Sequence, residues 1–144
     1  MSLAESRIFE THSAEETIEL GEQLSALLPE HGAVLLIGNL GAGKTTLVKG
    51  IAKARGAAEA DEVSSPTFPL IHEYGDPPKV FHIDLYRLET EQEVLTLGID
   101  EFLDRRALTL IEWGERFPRL WPTNTPTIQL EDQGDDSRRI TLTF

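Results

Sequence analysis

The sequence predicts an α/β sandwich whose central sheet is partly antiparallel. Short apolar runs of strand length alternate with segments of helical periodicity through most of the chain. The C-terminal segment contains two further strand-like runs and no helical pattern. The chain has 144 residues, 40% of them hydrophobic and 26% charged, which is usual for one folded domain. We therefore expect a single domain over residues 1–144.

The predicted elements follow from local patterns. Ser13 and Glu16 have the spacing of a helix-capping box, and the leucines behind them recur at helical intervals, which predicts a helix over 14–28. The apolar run 33–37 predicts a buried strand, and a glycine-rich turn leads to a helix over 45–55. Residues 56–67 are expected to be mostly loop. The other predicted elements are strands at 69–74, 80–84 and 107–112, a helix at 89–97, and a final strand pair at 127–130 and 139–144.

The amino-acid composition limits the kinds of molecule that this chain is expected to bind. Thirteen Lys and Arg against 25 Asp and Glu give a net charge of −12, so the chain by itself is a poor ligand for nucleic acid or an anionic membrane. Any nucleic-acid role should be indirect. The absence of cysteine excludes disulfides and cysteine-ligated metal centres. No apolar run approaches the roughly 20 residues of a membrane span or the length of a signal peptide, so we expect a cytoplasmic protein.

The segment from Gly38 to Thr45 reads GNLGAGKT and matches the phosphate-binding pattern G-x-x-x-x-G-K-[ST] at every fixed position. An apolar strand precedes it and a helix follows, as the pattern requires. The glycines allow successive backbone N–H groups to turn toward a phosphate, and the helix adds the positive end of its dipole. Lys44 would meet the β- and γ-phosphates and Thr45 would offer a hydroxyl to Mg²⁺.

Two acidic residues close apolar runs and are candidates for the metal side of such a site. Asp84 follows the run 80–83, and Glu112 follows the run 108–111. Each could also be an ordinary acid at a strand end, and having both in one chain with a phosphate loop favours the functional interpretation. The four histidines lack metal-ligand spacing, and we expect structural or solvated roles, with His82 able to position the loop near Asp84. Arg116 and Arg119 are expected to lie on a charged surface.

Several segments together resemble one family. GNLGAGKTT at 38–46, SPTF at 65–68, HIDLYR at 82–87 and EW at 112–113 occur in the order found in TsaE (YjeE) proteins. These are the bacterial ATPases of tRNA threonylcarbamoyladenosine biosynthesis. The resemblance spans nearly the whole chain, and HIDLYR with IEW is far more specific than the phosphate loop alone. One departure is Asn39, where an acidic residue is common in the family, at a variable position of the loop.

The resemblance implies a fold, cofactors and partners. The fold would be a P-loop NTPase-like three-layer sandwich with a central mixed parallel/antiparallel sheet. The cofactors would be ATP or ADP with Mg²⁺. The partners would be TsaB and TsaD, which carry out the transfer and hold the tRNA, so that this chain would meet tRNA only indirectly. No membrane association is expected.

The resemblance also assigns roles to individual residues of this chain. The implied catalytic residues are Lys44, Asp84 and Glu112, and the implied metal ligands are Thr45 and Glu112. Ser65 and Thr67 would lie on a switch-like loop that senses the γ-phosphate. The implied nucleotide-binding residues are Thr11, Ser13, Gly41, Ala42, Gly43, Lys44, Thr45, Thr46, Thr67, Trp113, Ser137 and Arg138, among which either Thr11 or Ser13, together with Ser137 and Arg138, would flank the base.

Other functions remain open at the level of sequence. A small-molecule or nucleotide kinase also uses a phosphate loop, but such kinases need arginines in a lid, and no lid helix is recognisable after Glu112. A nucleotide-gated binding module would use the same residues with hydrolysis incidental. GTP is less favoured than ATP because no Asn-Lys-x-Asp motif is present. Because no arginine is evidently placed to stabilise the transition state, with Arg87 more plausible as a salt-bridge partner, hydrolysis by the isolated chain should be slow.

Overall fold

Within the described residues, the architecture is a seven-stranded sheet with four α-helices and two short 3₁₀ helices. The structure is a computed structural model that describes residues 5–39, 43–59, 63, 70–75, 77–103 and 106–144. The strands are β1 (Ser6–Thr11), β2 (Gly32–Ile37), β3 (Ile71–Tyr74), β4 (Val80–Asp84), β5 (Leu108–Glu112), β6 (Thr127–Gly134) and β7 (Ser137–Thr143). The helices are α1 (Ala14–Ser25), α2 (Lys44–Ala54), α3 (Glu91–Thr96) and α4 (Ile99–Leu103), and the 3₁₀ helices are Gly114–Arg116 and Pro118–Leu120.

The sheet is mixed, as the sequence predicts. Its strand order is β1-β7-β6-β2-β5-β4-β3. The central pairs β6–β2, β2–β5 and β5–β4 are parallel, whereas the outer pairs β1–β7, β7–β6 and β4–β3 are antiparallel. The parallel centre directs the carboxyl ends of β2, β4 and β5 to one edge of the sheet, which is where open α/β sheets bind ligands.

Helices cover both faces of the sheet and complete three layers. On one face α1 and α2 pack on the even-numbered side chains of β2 and β5, including Val34 and Leu110. On the other face α3, α4 and the 3₁₀ helices pack on odd-numbered side chains, including Leu35 and Ile111. This explains why the run 33–36 is buried without alternation, since both faces of a central parallel strand are covered. The described residues contain no helix long and apolar enough to span a membrane.

Two glycines allow α1 and α2 to approach very closely. A Cβ atom at Gly50 of α2 would lie 1.9 Å from the backbone oxygen of Ile18, and one at Gly21 of α1 would lie 2.4 Å from the backbone oxygen of Leu47. Since α2 follows the phosphate loop directly, its N-terminus is placed by this helix pair.

Side chains form hydrogen bonds with the backbone at both ends of α1. Ser13 caps the helix as predicted, with its hydroxyl accepting from the Glu16 N–H at 3.1 Å, but Glu16 accepts from the N–H of His12 rather than that of Ser13. The helix ends at Ser25, three residues earlier than predicted, because the Arg55 guanidinium binds the backbone oxygens there. It donates to the oxygens of Ser25, Leu28, Pro29 and Glu30.

The sequence patterns did not predict strand β1, helix α4 or the two short 3₁₀ helices. Strand β1 escaped prediction because it is an edge strand whose side chains are mostly exposed, so its sequence shows no apolar alternation. Helix α4 follows Gly98, the residue directly after the predicted helix 89–97. Gly98 has φ +79° and lets the chain turn and resume as a helix whose Ile99 is buried. Pro69 of the predicted strand 69–74, and most of the predicted loop 56–67, lie outside the described residues.

Candidate functional site

The candidate site lies at the carboxyl ends of three adjacent parallel strands. Strand β2 leads into Gly38, β4 ends at Asp84, and β5 ends at Glu112, with Asp84 and Glu112 paired across β4 and β5. Helix α2 begins at Lys44 on the same edge of the sheet. Residues far apart in sequence therefore converge beside the phosphate loop, as the sequence predicts.

The Lys44 ammonium group is almost fully buried. Its Nζ donates to the backbone oxygen of Gly38 at 2.7 Å and lies 3.3 Å from Oε1 of Glu112. It also lies 4.6 Å from the ring centre of Trp113. With the side chain only 5% exposed, these contacts replace the hydration that burial removes. The cation is thus held at the loop by a carbonyl, a carboxylate and an aromatic face.

The Glu112 carboxylate binds a different partner with each oxygen. Oε1 faces Lys44, and Oε2 lies 2.5 Å from Nε2 of His82, which is completely buried. Burial by itself would raise the pKa of Glu112. The hydrogen bond of His82 and the charge and hydrogen bond of Lys44 outweigh burial, so the pKa of Glu112 lies below its ordinary value. Glu112 is therefore ionised at neutral pH despite its burial.

The pKa of Asp84 is shifted in the opposite direction to that of Glu112. It is partly buried and accepts one hydrogen bond, from the Tyr86 N–H at 2.9 Å, within the described part of the chain. Burial raises the pKa of Asp84, and the neighbouring charge of Glu112 raises it further, while the Tyr86 hydrogen bond and the charge of Lys44 oppose these effects. The two carboxylates thus lie side by side. The negative charge of Glu112 is balanced by its direct contacts with Lys44 and His82, whereas Asp84 has less compensation from its neighbours.

Trp113 turns its ring into the site through an unusual backbone conformation. Its φ of 66° is left-handed, which is uncommon for a bulky residue and is held here at the exit of β5. The ring contacts Tyr86, with ring centres 5.2 Å apart. Trp113 also lines a cavity of about 430 Å³ together with Gly38, Asn39 and strand β6. The ring therefore lies beside the phosphate loop, and the nucleotide-binding role of Trp113 stays a prediction.

Gly43 is the described glycine of the phosphate loop that has a left-handed backbone. Gly43 has φ +100° and precedes α2, whose first residues include Thr45 and Thr46. This left-handed conformation is one that glycine adopts without steric cost. The predicted nucleotide-binding residues Gly41 and Ala42, and the switch-like residues Ser65 and Thr67, lie outside the described residues.

The residues predicted to flank the base form a second group beside the loop. Ser13, Thr46 and Arg138 line a small cleft with Gly43 and Asp136. Ser137 accepts or donates a hydrogen bond with Nδ1 of His12 at 3.1 Å. Thr11 pairs with Arg138 across β1 and β7, but it is only 3% exposed and its hydroxyl bonds to Thr17 at 2.8 Å. Pairing of the edge strand β1 with β7 is what brings these distant residues together.

Arg116 is a functional candidate that sequence reasoning missed. It was expected to lie on an ordinary charged surface, yet its Nη2 donates to the backbone oxygens of Leu85, Tyr86 and Leu88. Its guanidinium also lies 5.9 Å from the ring centre of Trp113. Arg116 therefore ties the turn after β5 to the turn after Asp84. In the sequence, the position of Arg116 three residues after Trp113 is the only hint of this role. That hint becomes informative only when the structure shows that the two turns meet.

Replacing Arg116 with alanine should destabilise the protein by about 2 kcal/mol, because three backbone carbonyls, the one of Leu85 part-buried, would lose their charged donor. The readout is urea-induced unfolding. The matched control is Arg119→Ala. Its side chain is 85% exposed and contacts Glu91 at 3.3 Å, so we expect a loss below about 0.5 kcal/mol. Equal losses for the two variants would contradict a special role for Arg116.

Comparison with known proteins agrees with this geometry. The family model for "Threonylcarbamoyl adenosine biosynthesis protein TsaE" matches residues 11–140. The chain belongs to the TsaE family. The match begins at Thr11 and includes β7 up to Ile140, so it covers the phosphate loop, both carboxylates and the group around Arg138.

Individual TsaE proteins are similar over most of their length. The chain is 38% identical over 132 residues to the tRNA threonylcarbamoyladenosine biosynthesis protein TsaE of Treponema pallidum, covering 92% of this chain and 96% of the relative. It is 37% identical over 134 residues to TsaE of Bacillus subtilis, covering 92% and 82%. The crystal structure of Bacillus subtilis YdiB superposes with a TM-score of 0.76 at 29% identity, covering 99% of this chain and 88% of that one. The fold predicted from the sequence is confirmed.

Proposed function

We propose that this protein binds ATP with Mg²⁺ and hydrolyses it slowly as a component of the cytoplasmic machinery that forms N6-threonylcarbamoyladenosine in tRNA. One observation carries the proposal, which is the convergence of Lys44, Asp84 and Glu112 at the start of α2. Relatives named for threonylcarbamoyladenosine biosynthesis support the pathway. The partners in this proposal are TsaB and TsaD, and tRNA is met through them.

The donor set of the site fits a magnesium ion. Asp84 and Glu112 offer carboxylate oxygens, and Thr45 offers a hydroxyl, all of the oxygen type that Mg²⁺ prefers. The raised pKa of Asp84 marks a carboxylate that a nearby cation would stabilise in its charged form. Bound Mg²⁺ would neutralise phosphate charge. Thr45 and Glu112 would hold the ion, and Asp84 would orient the ion or the attacking water.

Other residues of this chain would bind the nucleotide. Lys44 would exchange part of its contact with Gly38 and Glu112 for the phosphate oxygens, and the N-terminal amides of α2 would add their partial positive charge. Trp113 would shield Lys44 from water on one side. The cleft beside Ser13, Thr46 and Arg138 is the proposed place for the nucleoside.

We expect slow hydrolysis by the isolated protein because its arginines near the site are not placed to stabilise the transition state. Arg116 already donates to three backbone oxygens, and Arg138 contacts Asp132 at 3.1 Å. Arg87 is exposed in the turn after β4. Arg116 and Arg138 are thus engaged elsewhere, and no hydrogen bond or ion pair with the described residues fixes the exposed Arg87 at the site, so we infer that a partner supplies the arginine that accelerates hydrolysis.

A kinase function is not favoured. Kinases with a phosphate loop close an arginine-bearing lid over the acceptor. In the described segment 106–144 the chain forms β5, two 3₁₀ helices and the β6–β7 hairpin, with no α-helical lid.

The test is phosphate release from ATP by the protein alone and with TsaB and TsaD of the same organism, together with tRNA modification by the reconstituted set. We expect a low rate alone and a clear increase with the partners. Asp84→Asn should bind ATP as tightly as the unchanged protein while hydrolysis and modification fall about 100-fold, as expected for loss of a positioned charged group.

The control is Asp100→Asn, an exposed carboxylate on α4 at the other face of the sheet, which should leave both activities unchanged. An ATPase rate that ignores TsaB and TsaD would contradict the partnership. Normal tRNA modification by Asp84→Asn without hydrolysis would instead favour a nucleotide-gated binding module.

A further inference from the structure

His82 is the only fully buried histidine within the described residues, and it contacts the site directly. It lies on β4 two residues before Asp84 and has no exposed surface. Its Nε2 is 2.5 Å from Oε2 of Glu112, a distance typical of a strong hydrogen bond to a carboxylate. The strands β4 and β5 on which these two residues lie are paired, so the contact is between two rigid elements.

The surroundings of the ring identify the atom that donates. Nδ1 of His82 is buried and has no hydrogen-bond partner in the described part of the chain. A proton on Nδ1 would leave a buried donor unsatisfied, whereas a bare Nδ1 leaves only a lone pair unpaired. The arrangement therefore favours the neutral ring with its proton on Nε2, donating to Glu112.

The two oxygens of Glu112 have separate tasks as a result. With Oε2 held by His82, the carboxylate plane is fixed and Oε1 is the oxygen that faces Lys44, 3.3 Å away. We expect Lys44 to shift toward phosphate when a nucleotide binds, so its ion pair with Glu112 should weaken at that point. The contact with His82 lies on the buried side and is independent of that shift.

We propose that His82 is a positioning residue that holds Glu112 through Oε2 and so presents Oε1 to the metal–nucleotide side of the site. The proposal rests on the proposed function, since it assigns to Glu112 a role toward the metal. His82 itself touches neither the nucleotide nor the reacting atoms. Partners of this type commonly contribute tenfold to 100-fold to metal affinity.

The test compares two amide substitutions of His82. In His82→Gln the side-chain amide nitrogen can reach the place of Nε2, whereas in His82→Asn it reaches only the place of Nδ1. We measure binding of ADP by calorimetry, once with Mg²⁺ and once with EDTA, and the thermal melting of each variant. We expect His82→Gln to retain the Mg²⁺-dependent part of binding within about threefold and His82→Asn to weaken it by about tenfold or more. Binding in EDTA should be the same in all three proteins.

The outcomes separate this proposal from the proposed function. If the unchanged protein binds no nucleotide, the proposed function fails and the role of His82 fails with it. If it binds and the two variants match it, or if both variants lose Mg²⁺ dependence equally, His82 is a structural core residue and the proposal is overturned.

A second measurement applies even if His82→Asn does not fold. The ring ¹⁵N shifts of His82 in the unchanged protein should show a protonated Nε2 and a bare Nδ1 in the absence of nucleotide. Glu112→Gln should change the Nε2 signal, because the acceptor loses its charge. A proton found on Nδ1, or an Nε2 signal that ignores Glu112→Gln, would overturn the proposal.

Discussion

Replacing Lys44 with alanine should reduce ATP hydrolysis by about 10² to 10³-fold, the usual cost of removing one preorganised charge from a transition state. ATP binding, measured by calorimetry, should weaken as well, because Lys44 is the cation of the phosphate loop. The substitution also removes the ion pair at 3.3 Å from Glu112, leaving that buried carboxylate with His82 as its partner. We therefore expect the pKa of Glu112 to rise in this variant.

The matched control is Lys49→Ala on the same helix, five residues further along and partly exposed. It removes a positive charge from α2 without touching the site, so hydrolysis should stay within about twofold. Thermal melting of Lys44→Ala distinguishes a loss of chemistry from a loss of fold. A folded Lys44→Ala protein that hydrolyses ATP normally would show that the site acts through other residues.

Replacing Gly50 with alanine should destabilise the protein by about 3 kcal/mol, which corresponds to a fall of roughly 10 °C in melting temperature. The added Cβ would lie 1.9 Å from the backbone oxygen of Ile18, so α1 and α2 would have to separate. In an unconstrained helix the same change would stabilise by about 1 kcal/mol. The sign of the measured change therefore tests the close approach of the two helices.

Two further variants sharpen this measurement. Gly21→Ala, whose Cβ would lie 2.4 Å from the oxygen of Leu47, should destabilise in the same direction because it strains the same helix pair. Gly134→Ala has φ +87° and no atom within 4 Å of its Cβ, so it reports backbone strain alone and should cost about 1 kcal/mol. A Gly50→Ala protein as stable as the unchanged one would mean that the two helices are further apart than described. Because α2 carries Lys44, destabilised variants should also bind ATP less tightly.

Much of the fold could be predicted because local patterns and the global fold agree. Strand β2 is an uninterrupted apolar run followed by the glycine-rich loop, and β4 was predicted with its observed bounds, Val80–Asp84. Asp84 and Glu112 could be singled out because each ends such a run, and parallel strands bring their carboxyl ends to one edge. The edge strand β1 and the short helix α4 could not be predicted, since neither shows an apolar period long enough to recognise.

The sequence by itself determined the class of the fold, the phosphate loop and the two carboxylates, because these depend on residue types at fixed spacing along one segment. Only the tertiary structure decided which partners those residues have. His82 bonds to Glu112, and Arg116 binds the turn after Asp84, through contacts that span about 30 residues. Such contacts depend on strand register and on how two turns meet in space, which no local pattern records. The same holds for the close approach of α1 and α2, which arises from two glycines that local propensity alone would disfavour.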